Sequence, residues 1–211
     1  MTLAVRAGRV AIVAGLLAGL VGYARAADLG IVVTDSVGRQ LPDAIAYLIP
    51  DGETLPPLGG ATAMIDQINR MFVPAVSVIR TGTAVRFPNS DDIRHSVYSF
   101  SPAKTFTLKL YSGVPAQPVV FDKPGVVVLG CNIHDSMLAY VKVVDTPYFG
   151  KSGGDGRIAL KQVPAGRYVL HLWHPWLAGD EPQQTVVVGA GSTSPLQFAL
   201  RLQAPPAIQH H

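Results

Sequence analysis

Cysteine is almost missing from this chain: Cys131 is the only one in 211 residues. A single thiol excludes an intramolecular disulfide, so no framework of bridges holds the fold together. An excess of charge is missing too. The formal net charge of +3 comes from 17 basic and 14 acidic residues. Arg6, Arg9 and Arg25 all lie at the N-terminus, and without them the two signs balance. There is no basic cluster interleaved with aromatic residues, which argues against nucleic acid as a partner. Nor is there an apolar run of membrane-spanning length. The run at residues 10–21 covers about a dozen residues, where a spanning helix needs about 20. Arg6 and Arg9 ahead of it and Ala24-Arg25-Ala26 behind it give residues 1–26 the form of a cleavable secretory signal peptide. The alternative is a retained N-terminal anchor. Cleavage leaves roughly 185 residues, enough for one domain or two small ones. In an oxidising compartment the lone thiol then needs a partner or a function. Finally, the sequence has no serine triad, phosphate loop or zincin pattern. Asp91 and Asp92 read as a solvated turn, and no enzyme activity is expected.

What is present is a succession of short β-like runs. Residues 29–34, 41–49, 73–80, 84–87, 95–100, 105–110, 117–121, 126–130 and 138–144 read as strands, with residues 61–72 as a further strand and turn. Residues 156–160, 167–173, 183–188 and 195–202 follow. Turn signals punctuate them and no long helical period intervenes, which predicts an all-β sandwich or barrel. Residues 50–60, rich in Pro and Gly, read as a linker or long loop. Residues 204–211 read as a disordered tail.

Between two of these runs lies Cys131-Asn132-Ile133-His134-Asp135-Ser136-Met137. A thiolate, an imidazole and a thioether on one tight loop form a metal-ligand proposal. Thiolate and thioether select copper(I), imidazole suits copper(II), and two histidines with one cysteine and a weak axial methionine make a blue-copper site. The bland alternative is a buried structural cysteine. The second histidine has to come from elsewhere. His95 is the candidate by elimination, because His171 and His174 lie in the later segment and His210 and His211 in the tail. His171 and His174 face opposite sides of a strand, so a second metal site there is the weaker reading.

At these residues the middle of the chain resembles the cupredoxins. Phe72-Val-Pro-Ala-Val-Ser-Val is similar to their F-x-P strand, and Thr81-Gly-Thr-Ala-Val-Arg-Phe-Pro-Asn89 to their G-x-x-V-x-F/W-x-N strand. Asp91-Asp-Ile-Arg-His95 supplies a first histidine. Pro124-Gly125 leads a strand into Cys131, and Cys131-x2-His134-x2-Met137 has the amicyanin-type loop spacing. The wording of this region resembles bacterial proteins labelled methylamine utilization protein. Two positions depart from the pattern: Ser96 stands where an Asn usually follows the first histidine, and Asn132-Ile133 replaces a proline.

The flanks resemble a carboxypeptidase regulatory-like (transthyretin-like) domain, through Gly30-Ile-Val-Val-Thr-Asp-Ser-Val-Gly-Arg and Asp155-Gly-Arg-Ile-Ala-Leu-Lys-Gln-Val-Pro-Ala-Gly-Arg-Tyr. The expected organisation is therefore a cupredoxin Greek-key β-sandwich at 61–144, inserted into a small β-sandwich made from 28–58 and 145–203. A tandem arrangement is the rival. The resemblance implies a periplasmic protein with one copper ion, Cu(I)/Cu(II), held by His95, Cys131, His134 and Met137. It also implies one-electron transfer through the outer edge of His134. The partner would be a transient redox protein, a periplasmic dehydrogenase or c-type cytochrome, docking on an apolar patch that includes Ile133. The alternatives are a copper-carrying or sensing protein, and a partner- or glycan-binding module on a metal-stabilised scaffold.

Overall fold

The structure, a computed structural model, describes residues 26–52, 55, 59–189 and 194–204. The expected signal peptide, apart from Ala26, and the tail beyond Ala204 lie outside the described residues. The described chain is all β. Its strands are β1 (Ala27–Asp35), β2 (Ile45–Pro50), β3 (Thr62–Met64), β4 (Asp66–Ile68), β5 (Met71–Val73), β6 (Val76–Arg80), β7 (Thr83–Arg86), β8 (His95–Ser101) and β9 (Lys104–Tyr111). They continue as β10 (Val119–Phe121), β11 (Gly125–Gly130), β12 (Leu138–Val144), β13 (Phe149–Lys151), β14 (Arg157–Val163), β15 (Gly166–Trp173), β16 (Gln183–Val188) and β17 (Leu196–Leu200).

β1 shows why the outer strands pair as they do. Its side chains alternate in burial, with Leu29, Ile31 and Val33 turned inward, the period-two pattern of a strand with one apolar face. It pairs antiparallel with β14, Ile31 opposite Ile158, and parallel with β17, Val33 beside Phe198. The facing sheet runs β13-β2-β15-β16. Ala46, Leu48, Leu160, Tyr168 and Leu170 fill the space between the two sheets. Among the described pairings, none joins β1 to a strand between β3 and β12.

The central strands make a five-stranded sheet, β6-β12-β11-β8-β9, facing a three-stranded sheet, β10-β7-β3, with the β4-β5 hairpin alongside. Phe72, Phe87, Phe121, Val127, Leu129 and Val141 fill this second core. The outer face of the five-stranded sheet is in turn covered by the outer face of β2 and β15. Ile45, Tyr47 and Trp173 meet Val76 and Val144 in a third, smaller cluster. β12 is therefore buried on both faces, which explains its nearly unbroken apolar run.

One polar position interrupts that run. Lys142 is buried in the seam, where it pairs with Glu181 and lies 5.3 Å from the ring centre of Tyr47 and 5.8 Å from that of Trp173. The Tyr47 hydroxyl donates to the same carboxylate at 2.5 Å. A buried ammonium is costly unless paired and hydrogen-bonded, so the seam depends on this whole set together.

Three expected strands differ most in extent. The run at 41–49 begins only at Ile45, because Asp43 takes a left-handed backbone (φ 59°) and the Ala44 and Asp43 amides bond to Ser152. Residues 61–72 break into short strands at a tight turn, where Asn69 and Arg70 have φ of 53° and 57°. The run at 73–80 divides into β5 and β6 at Pro74-Ala75, where proline offers no amide to a ladder.

Candidate metal centre

His95 opens β8 directly after the loop at residues 88–94. That loop is tied down by Asn89, whose side-chain amide donates to the Ile93 and Tyr111 carbonyls at 2.8 and 2.9 Å. A register shift between His95 and Val97 turns His95, Ser96 and Val97 all inward, and His95 is fully buried. Irregularities of this kind re-aim side chains at sheet edges.

Cys131 follows β11 without a gap. Gly130 permits the approach: a Cβ there would stand 2.7 Å from the Tyr98 ring on the neighbouring strand. The loop then folds back on itself, with the Met137 amide donating to the His134 carbonyl at 2.9 Å and the Leu138 amide to the Ser136 carbonyl at 3.1 Å. Tight closure of this loop gathers distant side chains. One ligand atom each from His95, Cys131 and His134 lies within 4.8 Å of the others. His95 Nδ1 stands 3.8 Å from Cys131 Sγ, and the two imidazole centres are 5.1 Å apart. Bonds of about 2.0–2.3 Å to one ion place ligand atoms about 3.5–4 Å apart, so this spacing suits a shared metal.

Two further observations bear on that fit. His134 Nδ1 is buried with no hydrogen-bond partner, a costly state for a polar atom unless something else binds it. Burial, followed by the nearby His95 and Arg70, holds His134 below the usual histidine value, which favours the neutral, metal-binding imidazole. Met137 is buried in the same cluster as Cys131. Ser96 accepts the Asn132 amide at 2.9 Å, and its hydroxyl faces Cys131 Sγ at 3.8 Å. The serine that stands in the place of asparagine thus still links β8 to the ligand loop.

Asp91 departs from the solvated turn expected for it, whereas its neighbour Asp92 makes no comparable bond among those described. Asp91 Oδ2 lies 2.7 Å from His95 Nε2. The same carboxylate accepts the Asn69 and Arg70 amides at 2.6 and 2.9 Å. Burial pushes its pKa up, but the bonds from Arg70, His95 and Asn69 outweigh that and hold it below the usual carboxylate range. The only hint in the sequence is a carboxylate four residues before His95.

His171 and His174 stay apart from this centre. His171 stacks on Tyr47 at 4.7 Å, while His174 is buried against Trp176 and accepts its amide. Beside the ligand loop, a shallow cleft of about 320 Å³ is lined by Met71, Val73, Ala75, Ser136 and Leu138. Met71, Val73 and Ile133 are exposed apolar side chains. A larger cleft, about 540 Å³, lies in the seam between Pro42, Val76, Tyr140 and Trp176.

No family model and no curated protein matches this chain. Solved structures do. A copper-containing nitrite reductase from Thermus scotoductus SA-01 is 23% identical over 46% of this chain and 25% of its own, with a TM-score of 0.38. A purple cupredoxin from Nitrosopumilus maritimus is 22% identical over 39% of this chain and 99% of its own, with a TM-score of 0.35. A pseudoazurin from Methylobacterium extorquens AM1 is 26% identical over 40% and 76%, with a TM-score of 0.33. The chain thus spans about a quarter of the length of the nitrite reductase it matches.

Proposed function

We propose that this chain is a periplasmic type 1 (blue) copper protein that passes single electrons between redox partners. The observation that carries the reading is the convergence of His95, at the start of β8, with Cys131 and His134, from the loop after β11, within 4.8 Å. A soft thiolate with two imidazoles suits copper, and the thioether of Met137 would complete the donor set. Bound there, copper would supply a Cu(I)/Cu(II) couple.

The chain's own residues do the rest. His95 and Cys131 are held at the ends of β8 and β11, and Ser96 fixes their separation. A site on strand ends moves little, so little reorganisation accompanies a change of charge. Cys131 and Met137 belong to the buried apolar core of the central sandwich, which excludes water from the inner side of the site. His134 is half-buried next to the exposed Ile133, and Met71 and Val73 are further exposed apolar side chains lining the cleft beside the ligand loop, a surface suited to a small, transient interface with a periplasmic dehydrogenase or c-type cytochrome. Balanced charge beyond the N-terminal segment predicts weak salt dependence of that docking. We further propose that 61–144 form a cupredoxin unit inserted into a carboxypeptidase regulatory-like sandwich made from 28–58 and 145–203. The self-contained pairing of β1 and β2 with β13–β17 supports this division.

The test is the visible and paramagnetic-resonance spectrum of the protein loaded with copper(II), beside that of Cys131→Ala. An intense thiolate-to-copper band with narrow hyperfine splitting, lost in the variant, supports the reading. A weak copper spectrum unchanged by the substitution removes it.

A further inference from the structure

His95 is the deepest of the three candidate ligands, and both of its ring nitrogens are engaged. Nδ1 faces Cys131 Sγ at 3.8 Å, and Nε2 faces Asp91 Oδ2 at 2.7 Å. An ionised carboxylate can only accept, so the bond to Asp91 requires the proton on Nε2. Nδ1 is then left with its lone pair toward Cys131 and His134. The carboxylate is itself fixed by the turn between β4 and β5, through the Asn69 and Arg70 amides. The Asp91 amide donates to Asn89 Oδ1 at 3.1 Å. Asp91 therefore has no freedom to swing away from the ring.

We propose that Asp91 is a positioning residue for His95: its carboxylate selects the tautomer, fixes the ring, and strengthens Nδ1 as a donor to the higher oxidation state of the metal. The proposal rests on the reading of His95, Cys131 and His134 as a copper site. A carboxylate behind a ligating imidazole raises the basicity of the ligand, and loss of such a partner costs about 10–100-fold in metal affinity. The negative charge favours Cu(II) over Cu(I), so losing it raises the reduction potential.

The experiment compares the wild-type chain with Asp91→Asn, Asp91→Ala and Ser90→Ala. Ser90→Ala removes a bond from the same loop to Asp66 of β4 but leaves His95 untouched, and so reports loosening of the loop alone. In the metal-free proteins, nitrogen-15 spectra of His95 read the tautomer. The expected result is a single Nε2-protonated form in wild type and Ser90→Ala, and a mixture in Asp91→Ala. In the copper-loaded proteins, Asp91→Asn is expected to lose about tenfold in Cu(II) affinity relative to Cu(I), a rise of about 59 mV for a one-electron couple. Ser90→Ala is expected to leave the potential unchanged.

A wild-type protein with a thiolate-to-copper band whose potential and His95 tautomer are unchanged in both Asp91 variants overturns the role of Asp91 alone. Equal shifts in Ser90→Ala and Asp91→Asn overturn it as well, leaving only a structural loop. A wild-type protein without that band overturns the copper reading and this proposal with it.

Discussion

The two large cores of this protein are filled differently. Between β1 and β2 and their partners, the interior is aliphatic, with Tyr168 as its one aromatic ring among fully buried side chains. In the central sandwich the aliphatic and phenyl packing gives way, toward one end, to Cys131 and Met137, with His95, Ser96, Gln67 and Asn89 buried nearby. Buried polar groups are stabilising only when satisfied, and here nearly every one is committed to a loop or a ligand atom. The lesson is a division of labour. One core supplies packing, and the other gives up some packing to aim donors at a point.

The sharpest way to break that contrast is Cys131→Ala. It is expected to abolish the copper spectrum while far-ultraviolet dichroism and the melting transition remain, because a small apolar side chain replaces a buried thiol. Collapse of the fold instead would make Cys131 a packing residue. Next in size is Leu170→Ala in the outer core, a fully buried position. It is expected to cost about 2–5 kcal/mol in chemical denaturation and to leave the copper spectrum unaltered. A changed spectrum would mean that the two cores are coupled.

The seam lies between these extremes. Lys142→Ala leaves the Glu181 carboxylate without its ammonium and is expected to cost about 1.5–3 kcal/mol. Lys142→Met is expected to recover part of that, since its longer apolar side chain refills the buried space that the alanine leaves empty. If both variants match wild type in denaturation, the Lys142–Glu181 pair contributes no stability to the seam.

The smallest expected effect is on acid sensitivity. His171 is held below the usual histidine value by burial, with Glu181 opposing and Lys142 assisting. His174 is lowered by burial too, against the Pro42 carbonyl and Asp43. Groups depressed in this way bind fewer protons folded than unfolded, so stability rises with pH until about 6.5 and is level above it. Melting temperature should therefore fall as pH drops below that value. The double variant His171→Gln, His174→Gln should show a shallower slope.

Much of this was legible from local pattern. Short β-like runs between turn signals marked most of the strands, and the spacing Cys131-x2-His134-x2-Met137 placed three donor side chains on one loop. His95 was reachable by elimination only, because nothing local distinguishes a ligand from an ordinary strand-end histidine. The role of Asp91 was not legible. It depends on a left-handed turn at Asn69 and Arg70, far away in sequence, presenting two amides to one carboxylate. Lys142 was hidden for a similar reason. In a strand buried on both faces, the charge reads as a solvent position until β2 and β15 are laid over it. The late start of β2 at Ile45 was decided by the Ser152 hydroxyl and carbonyl, 108 residues beyond Ala44.

The pairing of β1 also sets an order of assembly. Ile31 finds one neighbour at Ile158 and the other at Leu196, so one edge of β1 stays open until β14 exists and the other until β17 exists. The strands from Thr62 to Val144 need no such wait, since their sheet partners all lie within that span. Contacts distant in sequence form late because closing the long loop comes first. A chain interrupted after Val144 would therefore carry a complete central sandwich and an unpaired apolar strand, the kind of edge that recruits other chains.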